Sequence, residues 1–154
     1  MAAPQVEPHR AAPRPLPAAR QLRLGERARL ALEILAAYLR ARRALRRAPI
    51  ASVMSTLRAQ PARAPIAGAG ERTLWEARRL GYAVARTLAL VPGDTRCLVR
   101  SLVLTRLLAR RGIPAKLVIG ARAAPEFLAH AWVEYEGDPV LSPGDGSFGR
   151  LVEL

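Results

Sequence analysis

The stretch CLVRSLVLTRLLARRGIPAKLVIGAR, residues 97–122, decides the fold because it joins a helix to a strand through a sharp stop. Apolar residues recur at helical spacing and predict a helix over about residues 96–111. Its buried face is expected to contain Leu98, Leu102, Leu107 and Leu108. Gly112 suits a left-handed helix end, and Pro114 prevents the helix from continuing. The β-branched run that follows, residues 115–122, predicts a strand.

Two further strands are predicted after this first one. Residues 128–137, LAHAWVEYEG, alternate in the way that is typical of a strand. One face carries His130, Trp132 and Glu134, and the other carries Ala131, Val133 and Tyr135. A turn is expected at Gly137 and Asp138, and PVLS, residues 139–142, begins the next strand. A helix followed by three strands indicates an α+β fold.

Two long helices are predicted before this region. Periodicity indicates a helix over about residues 22–47 and another over about residues 71–90. The stripe on the first helix consists of Leu30, Ile34, Leu35, Leu39 and Leu45. The stripe on the second helix consists of Leu74, Ala77, Gly81, Val84 and Leu88.

The chain length of 154 residues is enough for one compact domain. Residues 1–20, rich in Ala, Pro and Arg, predict a disordered arm. Residues 21–70 are interpreted as a basic helical lead-in and a linker, and residues 71–154 as the core. We expect residues 21–154 to fold as a single unit.

The charge is strongly basic, with 25 Lys and Arg side chains against 12 Asp and Glu. The excess is concentrated in residues 1–60, which hold 12 of the arginines and three of the glutamates. Nucleic acid, an anionic membrane surface or an acidic peptide would each suit such a charge. Few aromatic residues stand among the arginines to stack on bases, so we favour solvated helices and expect no nucleic-acid partner.

The remaining composition excludes several classes of protein. A single cysteine excludes an intrachain disulfide, and two histidines with one cysteine are a poor set of zinc ligands. We therefore expect neither a metal nor a cofactor. No run approaches the ~18 apolar residues of a membrane span, and the proline-broken N-terminus does not resemble a signal peptide. A cytoplasmic location is expected.

Cys97, the only cysteine, falls in the first turn of the predicted third helix, which Asp94 or Thr95 can cap. The unpaired N–H groups there and the positive end of the helix dipole favour thiolate over thiol, and Arg96 and Arg100 act in the same sense. The same N–H groups could hold an oxyanion. The alternative is that Cys97 is a small apolar residue that packs the helix onto the sheet.

His130 is the only histidine outside residues 1–20. A cysteine at a helix start that faces a histidine on an antiparallel strand can act as nucleophile and general base. A lone strand histidine with a purely structural role is the alternative. A third group should orient the imidazole.

Hairpin geometry selects Asp145 as that third group. If Gly137 and Asp138 are the central turn residues, Asp145 stands opposite His130. Asp138 would then lie at the far tip, roughly 20 Å away, and Glu134 about 13 Å along the same strand.

Two segments then resemble a known family. Residues 97–122, quoted above, and residues 129–141, AHAWVEYEGDPVL, resemble the transglutaminase-like leader peptidases of lasso-peptide biosynthesis. The motifs are Cys-Leu-x-x-Ser, Arg-Arg-Gly-Ile-Pro and His-Ala-Trp-Val-Glu, and the resemblance covers about residues 71–154. It implies a papain-like cysteine protease core in which Cys97 attacks the bond that joins leader to core peptide. His130 would be its base.

The resemblance also implies an acid on the next strand, about a dozen residues after the histidine. This chain has Ser142 at that position.

The implied partners are a leader–core precursor peptide, a small recognition protein that grips the leader by strand addition, and an ATP-dependent cyclase resembling asparagine synthetases. Too few residues precede the core for a fused recognition domain, so we expect a separate one. The basic end of the first helix, with Arg42, Arg43, Arg46 and Arg47, is a candidate docking surface.

Two other functions stay open. The same site could pass an acyl group to an amine, as a transglutaminase-like acyltransferase. A non-catalytic, basic binding protein would not need Cys97, and its binding to a nucleic-acid duplex would fall steeply with salt.

Overall fold

The computed structural model describes residues 23–49, 52–53, 70–92, 97–123, 126–142, 144 and 148–153. The helices are α1 (Leu24–Arg47), α2 (Glu71–Ala89) and α3 (Cys97–Arg110). The strands are β1 (Lys116–Arg122), β2 (Leu128–Tyr135), β3 (Asp138–Leu141) and β4 (Gly149–Glu153). The predicted α+β class is confirmed. The expected arm over residues 1–20 and the possible caps Asp94 and Thr95 lie outside the described residues.

The corner between α3 and β1 follows the prediction. Gly112 adopts a φ of 71°, which is the left-handed conformation expected at a helix end. The N–H of Ile113 donates to the carbonyl of Leu108 at 3.0 Å, and the N–H of Gly112 donates to that of Ala109 at 3.0 Å. These bonds satisfy the last carbonyls of α3 and turn the chain into β1.

The four strands form one antiparallel sheet in the order β3-β2-β1-β4. β1 and β2 are therefore its central strands, and their register places Gly120 opposite His130. β4 was not predicted from the sequence. All five of its residues are exposed, so its sequence lacks the alternation by which a half-buried strand is recognised.

The β2–β3 hairpin differs from the expected one. Glu136 and Gly137, with φ of 51° and 87°, are its central residues, and Tyr135 pairs with Asp138. A two-residue turn of this type needs a positive φ at both central positions. Gly137 meets this need at the second position, whereas the expected turn would have placed Asp138 there. The register that selected Asp145 is therefore wrong.

The helices cover one face of the sheet, with α3 against β1 and β2, α2 against β3, and α1 against α2 and α3. Ala131, Val133 and Tyr135 all belong to the hydrophobic core between the two layers, which confirms the predicted alternation in β2. Ile34 from α1 belongs to the same core.

One residue of the predicted α1 stripe is misplaced, since Leu39 is 58% exposed. It lies five residues after the buried Ile34, roughly 140° around the helix, and so on the outer side. None of the helices that the structure describes is long and apolar enough to cross a membrane.

The helical layer and the sheet approach each other closely at Gly81 in α2. A Cβ atom at this position would lie 1.9 Å from the carbonyl oxygen of Val140 in β3. Only glycine lets the helix backbone sit this close to the strand.

Candidate active site

Cys97 is the first residue of α3. Its side chain is half-buried and packs against the hydrophobic core, and its thiol is free. The N–H groups of the first helical turn have no partner within the helix, and the helix dipole is positive at this end. A half-buried thiol at such a position is suited to react as the thiolate.

Ser101 connects this end of α3 to the sheet. It is fully buried, and its hydroxyl donates a hydrogen bond of 3.0 Å to the carbonyl of Ala131. Ser101 lies one helical turn after Cys97, and Ala131 directly follows His130. The bond therefore holds the first two turns of α3 against β2 next to the histidine. Ser101 belongs to the Cys-Leu-x-x-Ser motif, but its contact with Ala131 was not predicted from the sequence.

His130 stands near the start of β2 and is half-buried. It shares its face of the strand with Trp132, whose ring stacks on the imidazole with centroids 6.1 Å apart and an angle of 18°. Phe148 flanks the imidazole as well, at 5.2 Å and a tilt of 32°. Two aromatic rings thus limit the rotation of the histidine.

A main-chain carbonyl contacts the imidazole edge. His130 Nε2 lies 3.0 Å from the carbonyl oxygen of Ser142, which comes directly after β3. Ser142 is the residue that stands where the resembling family has its acid. Asp145, the predicted third group, lies outside the described residues, so its role stays a prediction.

The structure thus brings the elements of Cys97 and His130 together through Ser101. The side chain of His130 projects from the face of β2 opposite to that of Ala131, which faces the helices. The assignment of Cys97 as nucleophile and His130 as base remains a proposal.

The buried carboxylate of Glu134 holds the Trp132 ring through a hydrogen bond. Glu134 is 6% exposed; it accepts a hydrogen bond of 2.7 Å from Trp132 Nε1, and Arg150 bonds to both of its oxygens. Burial alone would raise the pKa of Glu134, but the hydrogen bonds from Arg150 and Trp132 and the nearby positive charges outweigh it and lower the pKa. The hydrogen bond to Glu134 raises the pKa of Arg150 in turn. Glu134 therefore stays ionised and fixes the ring that stacks on His130.

Little in the sequence predicts this cluster of Trp132, Glu134 and Arg150. Glu134 alternates with core residues and reads as a solvent-facing side chain, and its cation comes from β4, which was not predicted. The one available signal is its spacing of two residues from Trp132, which puts both side chains on the same face.

Gly120 leaves room for this arrangement. A Cβ atom there would lie 2.8 Å from Trp132 Cη2 and 2.8 Å from the carbonyl oxygen of Gly149. Glycine at this position lets the indole lie flat over β1 while β4 pairs on the other side.

A separate groove of about 310 Å³ lies between α1 and α2 beside the C-terminal end of α3. Its lining includes Glu33, which pairs with Arg111 at 2.8 Å. Cys97 is at the opposite end of this 14-residue helix, about 20 Å away at 1.5 Å per residue. The groove is therefore not part of the candidate site.

Within the described segments, no group of three or more His, Cys, Asp or Glu side chains could hold a metal ion.

No curated protein and no solved structure matches this chain. The family model described as "Transglutaminase-like superfamily" matches residues 35–153, which is more than three quarters of the chain. The matched segment extends from the middle of α1 to the end of β4. The matched segment contains both Cys97 and His130, and the chain belongs to the transglutaminase-like superfamily.

Proposed function

We propose that this protein is a cysteine peptidase that removes the leader from a ribosomally made lasso-peptide precursor. The observation that supports the proposal is the Ser101–Ala131 hydrogen bond, which holds the helix that starts at Cys97 against the strand that contains His130. The imidazole itself projects from the other face of β2, so a contact between it and the sulfur is part of the proposal. Superfamily membership supports it, because thiol-based acyl chemistry is usual among these proteins. The resemblance of the motifs around both residues supports the lasso-peptide role.

In the proposed reaction, His130 takes the proton of the Cys97 thiol, and the sulfur attacks the carbonyl carbon of the scissile peptide bond. The carbonyl electrons move to oxygen, where N–H groups at the start of α3 can stabilise the negative charge. The C–N bond then breaks, and the imidazolium gives its proton to the leaving amine. Water hydrolyses the resulting thioester and restores the free thiol.

The direct test is mass spectrometry of a candidate precursor incubated with this protein and a leader-recognition protein. Wild type should release a leader and a core fragment, whereas Cys97→Ala and His130→Gln should leave the precursor intact. His9→Gln changes the other histidine of the chain, and Thr105→Val changes another half-buried residue of α3. Both controls should cleave at the wild-type rate. Equal cleavage by Cys97→Ala would refute the proposal.

A second test needs no substrate. Because Cys97 is the only cysteine, the mass gained on treatment with iodoacetamide reports on this thiol alone. If the imidazole of His130 reaches the sulfur, His130→Gln should slow alkylation at neutral pH by roughly tenfold or more, because thiolate is the reactive form. His9→Gln should not change the rate. Equal alkylation rates in wild type, His130→Gln and His9→Gln would show that His130 does not act on the Cys97 thiol, and would contradict the assigned pair.

Acyl transfer is the second candidate function, since the same thioester can react with an amine instead of water. Membership of a superfamily that includes transglutaminases favours keeping it. Product analysis separates the two reactions. A cut peptide with a new carboxylate indicates hydrolysis, and a product joined to an added primary amine with loss of the leaving group indicates transfer.

The proposal includes partners and a location. The precursor would be presented by a separate recognition protein, and the freed core would pass to an asparagine-synthetase-like cyclase. A cytoplasmic location belongs to the proposal, because that cyclase requires ATP.

The basic end of α1 is the proposed docking surface for the recognition protein. Arg43, Arg46 and Arg47 are exposed there, whereas Arg42 donates a hydrogen bond of 3.3 Å to the buried Tyr38. A clean test therefore reverses the first three charges and leaves Arg42 in place.

The triple Arg→Glu variant at positions 43, 46 and 47 should bind the recognition protein at least about tenfold more weakly, with a smaller dependence on salt. Reversal of Arg72, Arg86 and Arg106, which are exposed on other helices, is the matched control for net charge. Unchanged affinity of the first variant, or equal weakening by the second, would rule out a specific docking surface.

A further inference from the structure

We propose that the main-chain carbonyl of Ser142, rather than a carboxylate, orients His130. The inference rests on the proposed function, because it assigns the third member of the same site. It departs from the acid that the resembling family places at this position. The contact that carries it is the 3.0 Å distance between His130 Nε2 and the Ser142 oxygen.

The chemistry of the two atoms decides the tautomer of the imidazole. A main-chain carbonyl has no proton to donate, so the contact is a hydrogen bond only if Nε2 carries the proton. Nδ1 of the neutral ring is then the nitrogen with a free lone pair. Ser142 therefore selects Nδ1 as the atom of His130 that can accept a proton from a thiol.

The carbonyl is held in place by its own surroundings. Ser142 directly follows β3, whose last residue, Leu141, is paired with Val133 of β2. The Ser142 hydroxyl accepts a hydrogen bond of 3.3 Å from the N–H of Gly144. The hydroxyl thus binds Gly144, and the carbonyl is the group directed at the histidine.

Gly144 also lies close to the imidazole. Gly144 has a φ of 81°, and a Cβ atom on it would lie 3.0 Å from the Phe148 ring and 3.6 Å from His130 Cδ2. Backbone packing of this kind allows little movement of the ring, so the Nε2–carbonyl contact is maintained.

The carboxylates of the neighbouring strands have other partners. Glu134 of β2 binds Trp132 and Arg150, and Glu153 of β4 binds Lys116 and Arg150. Asp138 of β3 binds Arg78, at the hairpin tip remote from His130. In the described part of these strands, the group at hydrogen-bond distance from the imidazole is a neutral carbonyl.

The proton transfer balances with this arrangement. The S–H bond of Cys97 breaks, its electron pair stays on sulfur, and the proton forms a new bond to Nδ1 of His130. The Nε2–H bond remains intact throughout and keeps donating to Ser142. The carbonyl dipole stabilises the resulting imidazolium without itself changing protonation state.

The closing experiment reads the tautomer directly by ¹⁵N NMR of histidine-labelled full-length protein. His9→Gln is introduced so that His130 gives the only signals. At a pH where the ring is neutral, we expect the Nε2–H tautomer alone, with an Nε2 proton that exchanges slowly with water. Asp145→Asn, which leaves the Ser142 carbonyl in place, should give the same tautomer. An Nδ1–H tautomer, a mixture like that of free imidazole, or a change of tautomer in Asp145→Asn would overturn the inference.

Cleavage of the precursor supplies the second measurement. Asp145→Asn should keep kcat/KM within about threefold of wild type, because it leaves the Ser142 carbonyl in place. A loss of 100-fold or more in Asp145→Asn would restore the carboxylate as the orienting group and overturn the inference.

The two measurements separate failure of the inference from failure of the proposed function. An Nε2–H tautomer in a protein that cleaves no peptide would retain the inference and remove the peptidase. Cleavage by a protein with an Nδ1–H tautomer would retain the peptidase and overturn the inference.

Discussion

Gly120 lies directly opposite His130 in the β1–β2 pair, and the Trp132 ring occupies the space where a side chain at position 120 would lie. Gly120→Ala should therefore push the indole away from the imidazole or loosen the pairing of β4. We expect a loss of about 1–3 kcal/mol in the free energy of unfolding. We also expect a fall of roughly 10–100-fold in peptide cleavage, because the histidine loses one of its supports.

The matched control for this change is Gly149→Ala on the neighbouring strand. A Cβ atom there meets the carbonyl of Ala121 at 3.5 Å, an ordinary contact. Urea unfolding and cleavage assays of both variants check the prediction, and similar behaviour of the two would contradict it.

Ser101→Ala should cost about 1–2 kcal/mol in the free energy of unfolding, because it removes a buried hydrogen bond between two elements. Thr105→Val is the control. The hydroxyl of Thr105 donates at 2.9 Å to the carbonyl of Ser101 within the same helix, and its loss should change stability by less than about 0.5 kcal/mol. Chemical denaturation gives both values, and equal effects would show that the Ser101–Ala131 bond does not hold α3 on the sheet.

Gly81→Ala should destabilise the protein by about 1–3 kcal/mol or more, since the new methyl group would collide with the Val140 carbonyl. Gly25→Ala is a matched change in α1, where a Cβ atom meets nothing within 4 Å. It should leave the protein unchanged or more stable by up to about 1 kcal/mol. Thermal unfolding of the pair is the measurement, and a neutral Gly81→Ala would mean that α2 and β3 are not in close contact.

Glu134 makes stability depend on pH. Its pKa in the folded protein lies below the ordinary value of 4.5, so the unfolded chain binds more protons in the window between the two values. The stabilisation is therefore complete above about pH 5 and is lost as the pH falls through the folded-state pKa. Glu134→Gln should be less stable than wild type at pH 7, and the difference should shrink below about pH 4.

Urea unfolding at pH 7, 5, 4 and 3 checks this dependence. Glu153→Gln, which removes an exposed partner of the same arginine, should change stability at pH 7 by less than about 1 kcal/mol. A difference between Glu134→Gln and wild type that grows as the pH falls would contradict the assignment of the lowered pKa.

Much of the architecture could be predicted because local signals agree with the tertiary contacts. The end of α3 at Gly112 and Pro114 depends on backbone geometry that only a few residues satisfy, and the structure has it where the sequence indicates. The alternation in β2 is equally clear, since one of its faces packs on helices. Leu39 shows the limit of a helical stripe, because periodicity does not say how wide the covered face is.

The parts that could not be predicted depend on contacts between distant residues. β4 has no buried face, so nothing in its sequence marks it. A single difference in turn position changed the hairpin register and with it the argument for Asp145. The group beside His130 Nε2 is a main-chain carbonyl, which every residue possesses, so side-chain identity carries no information about it.

The full exposure of β4 has a consequence for how the molecule opens. A strand that buries none of its residues and pairs along one edge only should be the first part of the sheet to exchange its amide hydrogens. Its opening would detach Arg150 from Glu134 and shift the adjoining Phe148 away from His130 in the same event. Local melting of the five residues of β4 is therefore coupled to the geometry of the imidazole, while the helical layer, including the start of α3 at Cys97, stays folded.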